Sequence, residues 1–161
     1  MRIDSTMLPV RGNDAVEILE NDHQVIKGLL NELVSASHSQ RSSVIEKLVG
    51  VLTIHNATEE NLVYPAINKV AGSKLESQHL YHETADADVA LFELDSMLKE
   101  GDDSEFAAQA KRFQEAVLHH IDEEEQKAFP RLNENADAEH SEILTESVRR
   151  FRNALHFDTA S

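Results

Sequence analysis

The sequence predicts an all-α protein, an up-down-up-down four-helix bundle with an additional C-terminal helix. Three observations carry this. Ala, Glu, Leu and Asp are plentiful, whereas there are only 5 Gly and 3 Pro, a composition that favours helix. Apolar residues recur at steps of three and four along four segments of about 25 residues each. Short polar stretches separate those segments, which implies antiparallel neighbours joined by short loops.

Residues 1–12 read as an irregular N-terminal arm, 13–135 as the bundle, and 136–161 as a C-terminal helix and tail. "GND" offers an N-cap at Asn13 or Asp14. The first helix then carries Val16, Leu19, His23, Ile26, Leu30 and Leu33 on one stripe, with a histidine in its middle. "SASHSQRSS" breaks it. The second stripe is Ile45, Leu48, Leu52, His55, Glu59, Leu62 and Ala66. "AGSK" at 71–74 is the next breaker. The third helix spans about Leu75 to Lys99, with His82, Asp86, Val89 and Phe92 read as one face. "EGDDS" closes it. The fourth stripe is Phe106, Ala110, Phe113, Val117, His120, Glu124 and Ala128. A fifth helix near 138–155 carries Ile143, Leu144, Val148, Phe151 and Leu155, and is expected to pack across the bundle.

The segments "HNATEENLVYP", from His55, and "HIDEEEQKAFP", from His120, repeat one pattern: histidine, a carboxylate four residues on, then an aromatic and a proline. Residues four apart share a helix face. His55 with Glu59, His82 with Asp86, and His120 with Glu124 therefore read as inward-facing pairs, joined by His23. A carboxylate buried without a partner is heavily penalised, so converging buried carboxylates and imidazoles need a cation among them. A metal cluster meets that need. Nitrogen and oxygen donors without sulfur suit iron, manganese or zinc, and carboxylates can bridge two metal ions. The prolines are expected to kink or end their helices just beyond the ligand turns.

Charge and composition narrow the partners. The formal net charge of −15 argues against nucleic acid and anionic membranes, and is compatible with binding cations. The absence of cysteine excludes disulfides, thiolate zinc sites, iron–sulfur clusters and cysteine catalysis. The first residues lack the apolar core of a secretory signal, and no apolar run has membrane length, so a cytoplasmic location is the default expectation. No feature identifies a protein partner.

With these residues assembled, the chain resembles the hemerythrin-like family, the HHE cation-binding domain, over roughly residues 14–135. The likeness rests on "DHQVIKGLLNEL" around His23, the two H-x-x-x-E…P segments, and "YHETADADVALFEL" around His82. It implies a four-helix bundle holding a non-haem di-iron centre. His23, His55, His82 and His120 would be ligands, Glu59 and Glu124 bridging carboxylates, and Asp86 a further metal contact. The oxygen-carrying members of the family have a histidine where this chain has Asp86, and one more residue between the last histidine and its bridging carboxylate. An added carboxylate stabilises the ferric state, which disfavours reversible oxygen carriage. The expectation is a protein that meets dioxygen, peroxide or nitric oxide as sensor, scavenger or iron store. The alternatives are a di-iron oxidase or peroxidase-type enzyme, and a module in which zinc or a single ion holds the bundle together.

Overall fold

The computed structural model describes residues 8–101 and 103–157, and every regular element among them is helical. Helix α1 (Ala15–Ser35) starts at an Asp14 cap whose carboxylate accepts from the Glu17 amide at 2.9 Å. Helix α2 (His38–Thr58) leads through a π-helical turn (Glu59–Val63) into α3 (Tyr64–Ala71). Gly72, at φ +64°, ends that rod in the left-handed conformation glycine tolerates. Helix α4 (Lys74–Glu100) follows. Helix α5 (Phe106–Glu123) then leads through a second π-helical turn (Glu124–Ala128) into α6 (Phe129–Asn135), and α7 (Ala138–Phe157) closes the order.

Four long helices pack in a ring, α1 on α2 and α5, α4 on α2 and α5, while α7 lies against α1 and α2. Of the expected N-terminal arm, residues 1–7 lie outside the described part, as do 158–161 of the tail. Leu8 is buried in the core.

The prolines do not end their helices. Pro65 and Pro130 lie in the first turns of α3 and α6, directly after the π turns. A proline lacks an N–H and crowds the carbonyl four residues back. The turn before each opens to i→i+5 bonding, Tyr64 N–H to the Glu59 carbonyl and Phe129 N–H to the Glu124 carbonyl. Each rod so continues with one residue inserted. The insertion shifts the buried stripe by one place. Val63 and Ile67 are buried, in place of the Leu62 and Ala66 that an uninterrupted α-period predicts.

The apolar core is split. A larger cluster joins Ile26, Leu30, Leu48, Leu52, Leu94, Phe113 and Val117. A smaller one joins Val16, Leu19, Val63, Ile67, Leu80, Phe129 and Leu132. His23 falls in sequence between Leu19 and Ile26, His55 and Glu59 between Leu52 and Val63, and His120 and Glu124 between Val117 and Phe129. The polar residues thus form a layer between two apolar ones.

On α4 the buried residues are Ser77, Leu80, Thr84, Leu91 and Leu94. The predicted face ran instead through Val89 and Phe92, which are 58% and 70% exposed. This helix mixes apolar residues at 89, 91, 92 and 94, so its sequence supports two stripes, and the one through Leu91 and Leu94 joins the larger core cluster. Leu94→Ala is expected to cost about 2–5 kcal/mol. Val89→Ala should stay within about 0.5 kcal/mol. Urea denaturation of the two variants measures the difference, and equal losses would restore the predicted face.

Candidate metal centre

His23 on α1, His55 at the end of α2, Glu59 and Glu124 place one ligand atom each within 4.8 Å of one another, and all four residues are buried. Their order along the helices explains the convergence. Each histidine and its carboxylate are one α-turn apart, and each carboxylate opens a π turn. His120 joins from α5, its Nε2 3.1 Å from Glu124 Oε1.

The two carboxylates span the layer. On one side, Glu59 Oε1 lies 3.1 Å from His55 Nε2 and 3.8 Å from His23 Nε2, and Glu124 Oε2 lies 3.2 Å from His23 Nε2. On the other side, the Tyr64 hydroxyl lies 3.0 Å from Glu59 Oε2, 2.7 Å from Glu124 Oε1 and 3.1 Å from His120 Nε2. Thr84 Oγ1 is 3.3 Å from the same hydroxyl and donates its own proton to the Leu80 carbonyl. A single phenolic proton cannot serve both carboxylates.

The donor set fits a metal. Among the described residues, His23 Nε2, Glu59 Oε1 and Glu124 Oε2 are buried without a hydrogen-bond partner. Buried polar atoms are rarely left so, and these three face one another. Hard carboxylate oxygen with imidazole nitrogen suits first-row divalent ions. A cation at this point would satisfy all three atoms at once.

Every imidazole of the group is backed by a carboxylate on its far nitrogen. His23 Nδ1 meets Glu125 Oε1 at 2.8 Å, His55 Nδ1 meets Asp22 Oδ2 at 3.2 Å, and His120 Nδ1 meets Glu83 Oε2 at 2.9 Å. Such contacts fix ring orientation and leave Nε2 free for a metal. Each carboxylate has a basic side chain of its own beside it. Lys27 lies beside Glu125, Arg152 holds Asp22, and His79 and His119 flank Glu83.

The electrostatics follow from this crowd. Burial disfavours a charged His55, but the charge of Glu59 and the bonds to Asp22 and Glu59 outweigh it and push the imidazole up to about 9. Burial likewise opposes His120, and Glu124, Glu59 and Glu83 raise it to about 9. Glu124, Glu125 and Glu59 hold His23 well above its ordinary range against the same burial. Glu59 is held well below the carboxylate range, because His55, His23 and His120 outweigh its desolvation. Desolvation and the charges of Glu59 and Glu124 push the Tyr64 hydroxyl well up.

Of the seven sequence-predicted residues, His23, His55, Glu59, His120 and Glu124 come together, and His82 and Asp86 do not. Both lie exposed on the outer face of α4, half a turn or so from buried Leu80 and Thr84, so their expected inward orientation is corrected. Val89, on the same predicted face, is exposed with them, while the stripe residues Ile26, Leu52 and Val117 are buried. Tyr64 is the residue that sequence reasoning missed. It stands five residues after Glu59, roughly 140° off its face in an α-helix. The π turn brings it back, because i→i+5 bonding makes residues five apart neighbours. Phe129, five after Glu124, returns in the same way and stacks on His23 at 5.8 Å between ring centroids. The aromatic-proline pair of the doubled motif was the available signal.

The family model described as the hemerythrin HHE cation-binding domain matches residues 14–132, and the chain belongs to that family. It is also similar to a protein called DNA nickase from Nostoc sp. (strain PCC 7120 / SAG 25.82 / UTEX 2576), 23% identical over 127 residues, which are 78% of this chain and 35% of that protein. The chain therefore spans about a third of the length of that relative. No solved structure matches it. Among the described residues, no helix is long and apolar enough to cross a membrane.

Metal uptake must expel protons from imidazoles held near 9. Raised histidine values stabilise the fold fully below the unfolded value of about 6.5, and that contribution is lost as pH rises through about 9. The melting temperature of chelator-treated protein should accordingly fall as pH rises through 9. Zinc binding, titrated calorimetrically in two buffers of different ionisation enthalpy, should release protons at pH 7. Proton uptake on binding would contradict this picture.

Proposed function

We propose that the chain is an up-down-up-down four-helix bundle, with an additional C-terminal helix, that holds a non-haem di-iron centre. We further propose that this centre meets dioxygen, peroxide or nitric oxide for sensing, scavenging or iron storage. The observation that carries the reading is the orientation of Glu59 and Glu124. Each gives one oxygen to the His23 and His55 side and the other to the Tyr64 and His120 side. Two carboxylates spanning two donor pairs are what bridging of two ions requires.

In this reading His23 and His55 would hold one ion, and His120 with the Tyr64 oxygen would hold the other. Iron there would supply electron transfer and binding of a small ligand. The chain's own residues do the rest. Glu125, Asp22 and Glu83 aim the imidazoles, and the apolar clusters above and below limit water. The charge argument made from Asp86 falls away with its exposed position. The Tyr64 oxygen would be the further oxygen donor in its place, set between the two carboxylates.

The nickase activity named for the Nostoc relative is not carried over. The chain spans about a third of that protein, and a net charge of −15 repels a polyanion. Manganese or zinc at the same donors, a single-ion structural module, and oxidase or peroxidase turnover are the rival outcomes.

Elemental analysis of protein grown with iron, paired with visible spectra before and after dithionite and air, tests the reading. About two irons per chain, with an oxo-to-iron band that bleaches and returns, is expected for a bridged pair. Zinc alone or one ion with a featureless spectrum would overturn it. Steady peroxide consumption would move the protein to the enzyme class. Glu59→Ala and Glu124→Ala should each lose metal, whereas His82→Ala and Asp86→Ala should not. Chelation should lower the melting temperature by roughly 10 °C or more, because the free energy of ion binding is lost from the folded state.

A further inference from the structure

Arg152 is the largest fully buried side chain in the molecule's described part, at 1% exposure. It stands on α7, beyond the residues matched by the family model. Its guanidinium grips Asp22 with both ends, Nη1 to Oδ2 at 2.6 Å and Nη2 to Oδ1 at 3.2 Å. Nη2 also donates to the Leu8 carbonyl at 3.0 Å. Asp22, equally buried, turns Oδ2 to His55 Nδ1 at 3.2 Å. His55 Nε2 faces Glu59 at 3.1 Å.

We propose that Arg152 is a positioning residue of the metal centre, acting through Asp22 to fix the ring orientation and tautomer of His55. The inference rests on the metal-centre reading above. A buried ion pair is seldom more stabilising than apolar residues of the same volume, so core stability alone does not account for a cation here. Docking of α7 does not account for it either. Val148 is fully buried against Ala15 and Ile18. Thr145 Oγ1 accepts from the Ala15 amide at 3.0 Å, and Arg149 donates to the Gly12 carbonyl at 2.8 Å. What Arg152 adds is a planar fork of donors that leaves Asp22 one orientation. Asp22 so held is an acceptor for the Nδ1 proton and leaves the other nitrogen to the metal. The Lys27 contact behind His23 has no such geometry: one ammonium lies 3.3 Å from both Glu125 oxygens at a part-exposed site.

Cobalt(II) titration of the full chain, by competition with a chelator and by the visible d–d bands, tests the proposal. Arg152→Leu is expected to weaken cobalt binding about tenfold or more and to change the band pattern. Arg152→Lys, which keeps the charge and loses the fork, should bind with intermediate affinity. Val148→Ala loosens α7 without touching Asp22. It should lower the melting temperature and keep the cobalt affinity and spectrum of the parent. Wild-type affinity in both Arg152 variants would overturn the proposal, as would a loss in Val148→Ala equal to that in Arg152→Leu. Should Arg152→Leu fail to fold, Arg152→Lys against Val148→Ala decides the matter in the same terms. A parent chain that binds no cobalt, zinc or iron would instead sink the metal-centre reading, and this inference with it.

Discussion

Two carboxylates with no exposed surface, Glu59 and Glu124, are the constraint around which this fold is organised. An ionised carboxylate is costly in a low-dielectric interior unless opposite charge meets it. Every polar residue of the middle layer answers that cost. Three imidazoles whose protonated form is favoured stand beside the carboxylates, and one phenol lies within hydrogen-bonding distance of both. The apolar core divides into two clusters because this layer interrupts it. The helical fold is thereby two hydrophobic plugs joined by an electrostatic seam.

Much of this was legible in the chain. His23, His55, Glu59, His120 and Glu124 lie in phase with apolar residues, and phase is a local property that the sequence carries. The Asp14 cap and the Gly72 and Gly101 stops were equally local. Three features escaped for physical reasons. The face of α4 is decided by tertiary contacts, because apolar residues at 89, 91, 92 and 94 support either choice. Tyr64 reaches the centre only through a π turn, which an α-period reading places on the wrong face. Arg152 is separated from Asp22 by 130 positions, and no periodicity links residues that far apart.

The doubled motif is now intelligible as one mechanical device used twice. Histidine and carboxylate share an α-turn, the proline forces the next turn open, and the opened turn returns the preceding aromatic to the centre. The two copies differ at that aromatic. Tyr64 brings a hydroxyl between the carboxylates, and Phe129 brings a flat apolar face against His23. The asymmetry gives the two sides of the layer different donors from nearly the same local geometry.

The three carboxylates behind the imidazoles differ in their contact with water, and this makes the centre lopsided. Behind His55, Asp22 and Arg152 are sealed at 1% exposure. Behind His120, Glu83 reaches the exposed imidazoles of His79 at 3.2 Å and His119 at 3.6 Å. His120 is linked through Glu83 to imidazoles at the surface, and His23 meets the part-exposed carboxylate of Glu125. The Nδ1 of His55 meets only the sealed Asp22–Arg152 pair. The α1–α7 side is thus the insulated side of the centre.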